Sequence, residues 1–273
     1  MTRRLFLLLP AGIAFAADDS LRLGFNDLYN LKFTEARAEF LAWQQDHPQD
    51  PIGFAAEAAS HLFEEFEQHG VLTTEFFLND DLLLGGIKGT PDPARTAAFE
   101  KANERARVLG EARLKTDARD PNALLGVTLA AGMRADYLSI IAKRQLDGLG
   151  QIKIAEAYGK RLLAVSPNVG DAYMALGAAS YIIGCLPGYK RALLWFGGIQ
   201  GDKKRGMDQL LQATRTGTFL APYAKVMLAL ALMREKQPYQ ALTLMRELTA
   251  TFPESPLFAR ERKKIERLAT EKL

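Results

Sequence analysis

Four times the chain breaks a charged, alanine-rich run at a proline, and each time a fresh apolar pattern with helical spacing follows. The breaks are Asp46-His47-Pro48, Arg119-Asp120-Pro121-Asn122, Val165-Ser166-Pro167-Asn168 and Thr251-Phe252-Pro253-Glu254. Proline lacks the amide proton that a continuing helix needs, and its ring drives the preceding residue toward extended backbone. Any helix can end this way. Recurrence of the stop at the seam between helix pairs marks repeated hairpins that bury their apolar faces on their neighbours.

Strand signals are nearly absent. Alanine, leucine, glutamate, lysine and arginine dominate, and apolar residues recur at spacings of three and four. With 48% hydrophobic and 25% charged residues the composition is that of a folded chain, neither disordered nor collagen-like. The pattern predicts an all-α protein. Helix pairs are expected at 18–30 with 33–46, 52–69 with 93–117, 122–143 with 147–165, 169–184 with 202–215, and 220–235 with 238–251. A charged last helix, 256–271, is expected to cap the array.

The first residues read as a leader rather than as part of the fold. Arg3 and Arg4 precede an apolar stretch from Leu5 to Phe15, and Ala14-Phe15-Ala16 supplies the small residues a signal peptidase requires. Cleavage after Ala16 would leave residues 17–273 as a periplasmic or secreted domain. The stretch is too short for a membrane anchor and is broken by Pro10 and Gly12. No later stretch looks apolar enough to span. Of the 35 Lys and Arg residues, Arg3 and Arg4 leave with the leader, so 33 bases remain against 32 acids. So even a balance gives no reason to expect nucleic-acid binding. Cys185 is the only cysteine, so no intramolecular disulfide forms, and its apolar setting predicts a buried, inert thiol.

Leu21, Phe25 and Leu28 form one apolar stripe; Phe33, Ala36, Phe40 and Trp43 form the facing one, across the short turn Asn30-Leu31-Lys32. Here Leu23, Gly24, Ala36, Phe40 and Pro48 have the spacing of a tetratricopeptide repeat, a thirty-four-residue helix-turn-helix, which this unit resembles. It departs from the pattern at Ser20, Asp27 and Trp43. A second match opens at Ala172-Tyr173-Met174-Ala175-Leu176-Gly177, and a third joins Leu228 and Ala229 to Ala241, Met245 and Pro253. The resemblance implies an α-α superhelix, a solenoid of about five helix pairs plus the cap. It also implies a ligand-recognising concave face at Leu21, Phe25 and Tyr29, then Met174, Ala178 and Tyr181, then Tyr223, Val226 and Leu230; the alternative is that these side chains pack against the next helix. That lining lacks the lysine and arginine pair with which chaperone-binding members of the family clamp a carboxylate.

Two insertions interrupt the array, near 72–92 and 186–201. Both are rich in aromatic and apolar residues, and the sequence leaves open whether they plug the superhelix or form a site. Within the second, Tyr189-Lys190-Arg191-Ala192-Leu193-Leu194-Trp195-Phe196 mixes basic and aromatic residues in a way that suits a membrane surface, although internal packing is the expectation.

Catalytic signatures do not stand out. Gly197-Gly198-Ile199-Gln200-Gly201-Asp202-Lys203 lacks the spacing of a phosphate loop and reads as a loop with a helix start at Asp202. His61, Glu65 and His69 fall at i, i+4 and i+8 on one helical face and form a candidate metal set; the alternative is one solvated face, with His69 near the helix end. Glu75, Asn79, Asp80 and Asp81 lack the spacing of a calcium loop and read as a solvated turn. Arg134, Asp136 and Tyr137 lie mid-helix as a paired network or a contact point. No cofactor and no enzyme activity are expected. The leading expectation is an exported adaptor that binds another protein or peptide through its concave face; the alternative is a carrier or sensor that encloses a hydrophobic small ligand.

Overall fold

The computed structural model describes residues 15–196 and 198–271, which include fourteen α-helices, one π-helical turn and no strand. The leader expected over 1–16 falls largely outside the described residues. The first two helices, α1 (Phe15–Tyr29) and α2 (Phe33–Asp46), form the predicted hairpin. Then come α3 (Pro51–Gln68), two short helices α4 (Thr74–Leu78) and α5 (Asp80–Gly85), and α6 (Pro93–Thr116), which pairs with α3. Helix α7 (Pro121–Asp136) runs into a π turn at Tyr137–Ile141 and packs on α8 (Gln145–Val165). Helix α9 (Gly170–Cys185) pairs with α11 (Lys203–Thr216) across the intervening α10 (Gly188–Phe196). The last three are α12 (Ala221–Arg234), α13 (Pro238–Thr251) and α14 (Pro256–Thr270).

The prolines do more than stop helices. Pro51, Pro93, Pro121 and Pro256 each occupy the first helical turn, where a missing amide costs nothing, and Asp50, Asp92, Asp120 and Ser255 cap the same helices with their side chains. Hairpins then close tightly where small residues allow it. A Cβ on Gly24 would meet the Phe40 ring at 2.4 Å, and one on Gly177 would meet the Leu210 amide at 2.9 Å, so α1 and α9 approach their partners as the sequence anticipates. The turns of the first and last pairs match. Leu31 and Lys236 both take left-handed backbone (φ 61° and 59°), and Lys32 and Gln237 donate back to Asp27 and Leu232 at 2.9 and 2.8 Å.

A simple solenoid leaves its ends apart; this one joins them. Phe25 stacks on Phe219 with centroids 4.9 Å apart, Tyr29 meets Phe252 at 5.3 Å, and Phe63 meets Tyr223 edge-on at 4.9 Å. The Tyr29 hydroxyl donates to the Phe219 carbonyl at 2.8 Å, and Lys32 pairs with Glu254 at 2.8 Å. Most buried side chains consequently form one continuous core from α1 to α14. The cap differs from expectation too. Glu261 on α14 is buried and accepts the Thr74 amide at 2.8 Å, while Lys264 and Arg260 reach Glu75 and Glu67. The first insert and the end of α3 therefore pack against part of the charged capping helix.

The expectation that no later stretch is apolar enough to span a bilayer is too strict. The run Pro121–Ile141 has a mean hydropathy of 1.3 over its best window, which meets that test. Its position explains the composition: α3, α6 and α8 pack around it and 56% of the window is buried inside the protein.

Candidate functional site

Closure converts the concave face into a lumen of about 260 Å³. The first helices of the pairs supply its walls: Phe25 from α1, Leu62 and Phe66 from α3, Leu129 and Met133 from α7, Met174 and Ala178 from α9, and Tyr223 and Met227 from α12. The first insert adds Val71, Leu72, Phe77 and Leu83. Exposed Lys160, Gln200 and Arg205 mark where the lining reaches solvent.

The groove positions implied by the repeat divide. Phe25, Met174 and Tyr223 line the lumen, although Phe25 and Met174 are otherwise deeply packed. Leu21, Tyr29 and Tyr181 are buried and do not offer an open groove. Tyr29 is used in the end-to-end closure, and the Tyr181 hydroxyl donates toward the Ala231 carbonyl at 3.1 Å and Glu235 at 3.0 Å, holding α9 to α12. Burial raises the pKa of both phenols well above the ordinary range. Val226 and Leu230 are likewise buried, beside a small void under α14.

The inserts take opposite positions. Phe76, Phe77 and Ile87 are buried, and the insert is tied down at several points. Arg234 donates to the Phe77 carbonyl and to Asp80, both at 2.5 Å, and the Ile87 amide donates to the Ile140 carbonyl at 2.9 Å. Gly86 sits at φ 74° with the Ile140 carbonyl oxygen 2.3 Å from where a Cβ would stand, so only glycine fits that crossing. In the second insert Ile199 is buried, but Tyr189, Trp195 and Phe196 are 68%, 59% and 81% exposed. Internal packing, the expectation for this segment, does not hold for those aromatics. Among the described side chains of this nine-residue helix none is buried, and only Leu194 is half-buried. Cys185, just before it, is half-buried rather than fully buried.

The metal candidates serve a structural purpose. Glu65 is buried, lies 2.9 Å from His69 Nε2, receives Arg95 at 2.5 Å, and accepts the Asp92 amide at 3.2 Å. The other ring nitrogen of His69 faces the Lys88 carbonyl at 3.1 Å. One carboxylate thus fastens the exit of the first insert to α3, with its oxygens occupied. His61 stands apart: burial, then the Arg37 charge, lowers its pKa to about 4. Among the described residues no group of three or more His, Cys, Asp or Glu is placed to hold a metal.

Asp80 of the supposed solvated turn pairs with Arg234. The mid-helix trio separates. Arg134 binds Glu100 at 2.8 Å and lies over the Tyr137 ring, which stacks on Phe99. Asp136 turns the other way, onto the lumen wall, where burial pushes its pKa from 3.8 up to about 7. Sequence reasoning overlooked Asp171, a buried carboxylate that collects the amides of Thr218, Phe219 and Leu220 and so fixes the turn into α12. Its signal was an acid facing no base within a very apolar helix.

No family model matches the chain, and no curated protein matches it. Among solved structures it is similar to the crystal structure of a thermophilic TPR protein from Thermus thermophilus, at 17% identity and a TM-score of 0.49, over 92% of this chain and 98% of that one. The fold follows from the chain's own hairpins, turns and small-residue contacts. It is a tetratricopeptide-like all-α superhelix, closed end to end around an apolar lumen.

Proposed function

We propose that the chain is a binding protein that takes a small apolar molecule into this lumen, rather than an adaptor that grips a peptide on its concave face. The supporting observation is the enclosure itself: the groove positions Leu21, Tyr29 and Tyr181 are used in packing, while Phe25, Met174 and Tyr223 border an apolar space of about 260 Å³. That exceeds the roughly 150 Å³ of an engineered apolar cavity that admits benzene, and falls below the ~300 Å³ at which drug-sized pockets begin. The ligand is therefore small. The walls bear side chains suited to holding a molecule, and the protein acts by binding rather than by catalysis. The leader at 1–16 would deliver it to the periplasm or beyond.

Calorimetric titration with 1-octanol tests the reading. One octanol per chain is expected in the native protein, with uptake lost when Ala175→Phe fills the wall. Absence of saturable uptake by the native protein would overturn it.

A second reading has one observation in its favour. Tyr189, Trp195 and Phe196 present rigid aromatic surface on a helix that carries Lys190 and Arg191 and no acid. Such a patch suits a protein partner with an acidic rim around an apolar pocket. On this reading an interaction module works from its outer face.

A further inference from the structure

We infer that the lumen's ligand is an apolar body bearing one ammonium or similarly strong hydrogen-bond-donating head, received by Asp136 with Tyr223 alongside. The inference rests on the lumen reading and adds to it the chemistry of the ligand.

Asp136 is the last residue of α7, where the helix widens into the π turn at Tyr137–Ile141. Such turns recur at functional sites because they re-aim side chains that a regular helix would point elsewhere. Here the carboxyl faces the lumen and has no hydrogen-bond or ion-pair partner among the described residues. The base closest to it in sequence, Arg134, is committed to Glu100 and to the face of Tyr137. From α12, Tyr223 brings a phenol close enough that the Asp136 charge further disfavours its ionisation, and this hydroxyl too has no described partner. Asp136 is half-buried in the wall, and a carboxyl partly withdrawn from water without a partner carries a cost that a folded protein ordinarily avoids.

The rest of the lining decides the sign of the ligand's charge. Thr128 is occupied, donating to the Leu124 carbonyl at 2.7 Å. Lys160 is paired with Glu156 at 2.6 Å and is largely exposed at the edge of the lining; Arg205 is exposed as well. No buried cation among the described residues of the lining waits for a carboxylate head, which would meet Asp136 instead. An ammonium head gains a charge-assisted hydrogen bond there, and the phenol oxygen accepts a second one.

Three probes of one length separate the possibilities: octylamine, 1-octanol and octanoate, titrated calorimetrically into the full chain. Octylamine is expected to bind at least about tenfold more tightly than octanol, as one charge-assisted hydrogen bond of about 1.5–3 kcal/mol implies. In Asp136→Asn, an isosteric change checked for fold by circular dichroism, that preference should fall to less than about threefold. Tyr223→Phe should lower it by a smaller factor. Equal affinities for octylamine and octanol in the native protein, or tighter binding of octanoate, would overturn the inference and leave the lumen reading standing. Failure of all three probes to bind would overturn both.

Discussion

Two inserts that both carry aromatic residues interrupt the same helical array, and one turns its aromatics into the molecule while the other leaves them largely outside. The difference is in how each is anchored. The first leaves α3 at Val71, sends Phe76 and Phe77 inward, and is fastened by Glu261 at its start, Arg234 in its middle and Glu65 at its end. Two of these anchors, Glu261 and Arg234, come from helices distant in sequence, so the insert joins the two ends of the superhelix and supplies part of the lumen wall. The second is pinned mainly by buried Ile199 and by the exchange between Ser180 and Asp202 at 3.1 and 3.2 Å, which leaves α10 projecting. Aromatic content alone does not bury a segment; polar anchors on both flanks do.

The sharpest way to break this contrast is Phe76→Ala. Its ring is 4% exposed and lies against Phe77 with centroids 6.0 Å apart. Removing it should cost about 3–5 kcal/mol of unfolding free energy, read from the urea midpoint at constant slope. A loss below about 1 kcal/mol would mean that the first insert is an appendage like the second.

A second, smaller effect has the opposite sign. The π turn that receives the first insert follows Asp136 directly, and burial holds that carboxyl's pKa near 7 against 3.8 for the ordinary group. A folded-state pKa above the unfolded value means that the folded form keeps its proton longer. Its contribution to stability is fully present below about pH 4 and is lost as pH rises toward 7. Asp136→Asn should therefore stabilise the protein by on the order of 2–4 kcal/mol at pH 8, with the gain fading as pH falls toward 4. The groups around the site are Tyr223 on α12, with Glu156 and Lys160 on α8 at the edge of the lining; none of them is altered by the variant. Paired thermal melts at pH 4.5 and 8 check it, and equal effects at both would remove Asp136 from the lumen wall.

Most of the architecture is legible in the sequence because it is local. Helical spacing, the proline stops, and Gly24 opposite Phe40 are short-range features, and the expected pairs fall within a few residues of α1 with α2, α3 with α6, α7 with α8, α9 with α11 and α12 with α13. Closure is not legible. It depends on Phe25 finding Phe219 and Lys32 finding Glu254, contacts between residues about two hundred positions apart that no periodicity encodes. The division of the groove positions is not legible either: Tyr29 is used where the ends meet and Tyr181 holds α9 to α12, while Phe25, Met174 and Tyr223 are left to line the lumen. The spacing of His61, Glu65 and His69 is plain in the sequence, but Arg95 and the Asp92 amide, which satisfy Glu65, arrive from beyond the insert.

The smallest expected effect tests the outer insert. Trp195 and Phe196 contact each other edge-on at 5.2 Å and are 59% and 81% exposed, so the double variant Trp195→Ser, Phe196→Ser removes side chains that lie mostly in solvent. Its unfolding free energy should lie within about 0.5 kcal/mol of the parent, as for other exposed substitutions. Binding is a different matter, because neighbouring exposed aromatics form the kind of contiguous apolar patch that often marks an interaction site. A photo-crosslinking residue at position 196 should give one defined protein adduct in cells, and the same residue at exposed position 239 on α13 should give none. Adducts to lipid alone would transfer α10 to a membrane surface, where its bases and aromatics would rest among anionic headgroups. A destabilisation above about 1 kcal/mol would mean instead that α10 folds back onto the body, and the contrast between the two inserts would vanish.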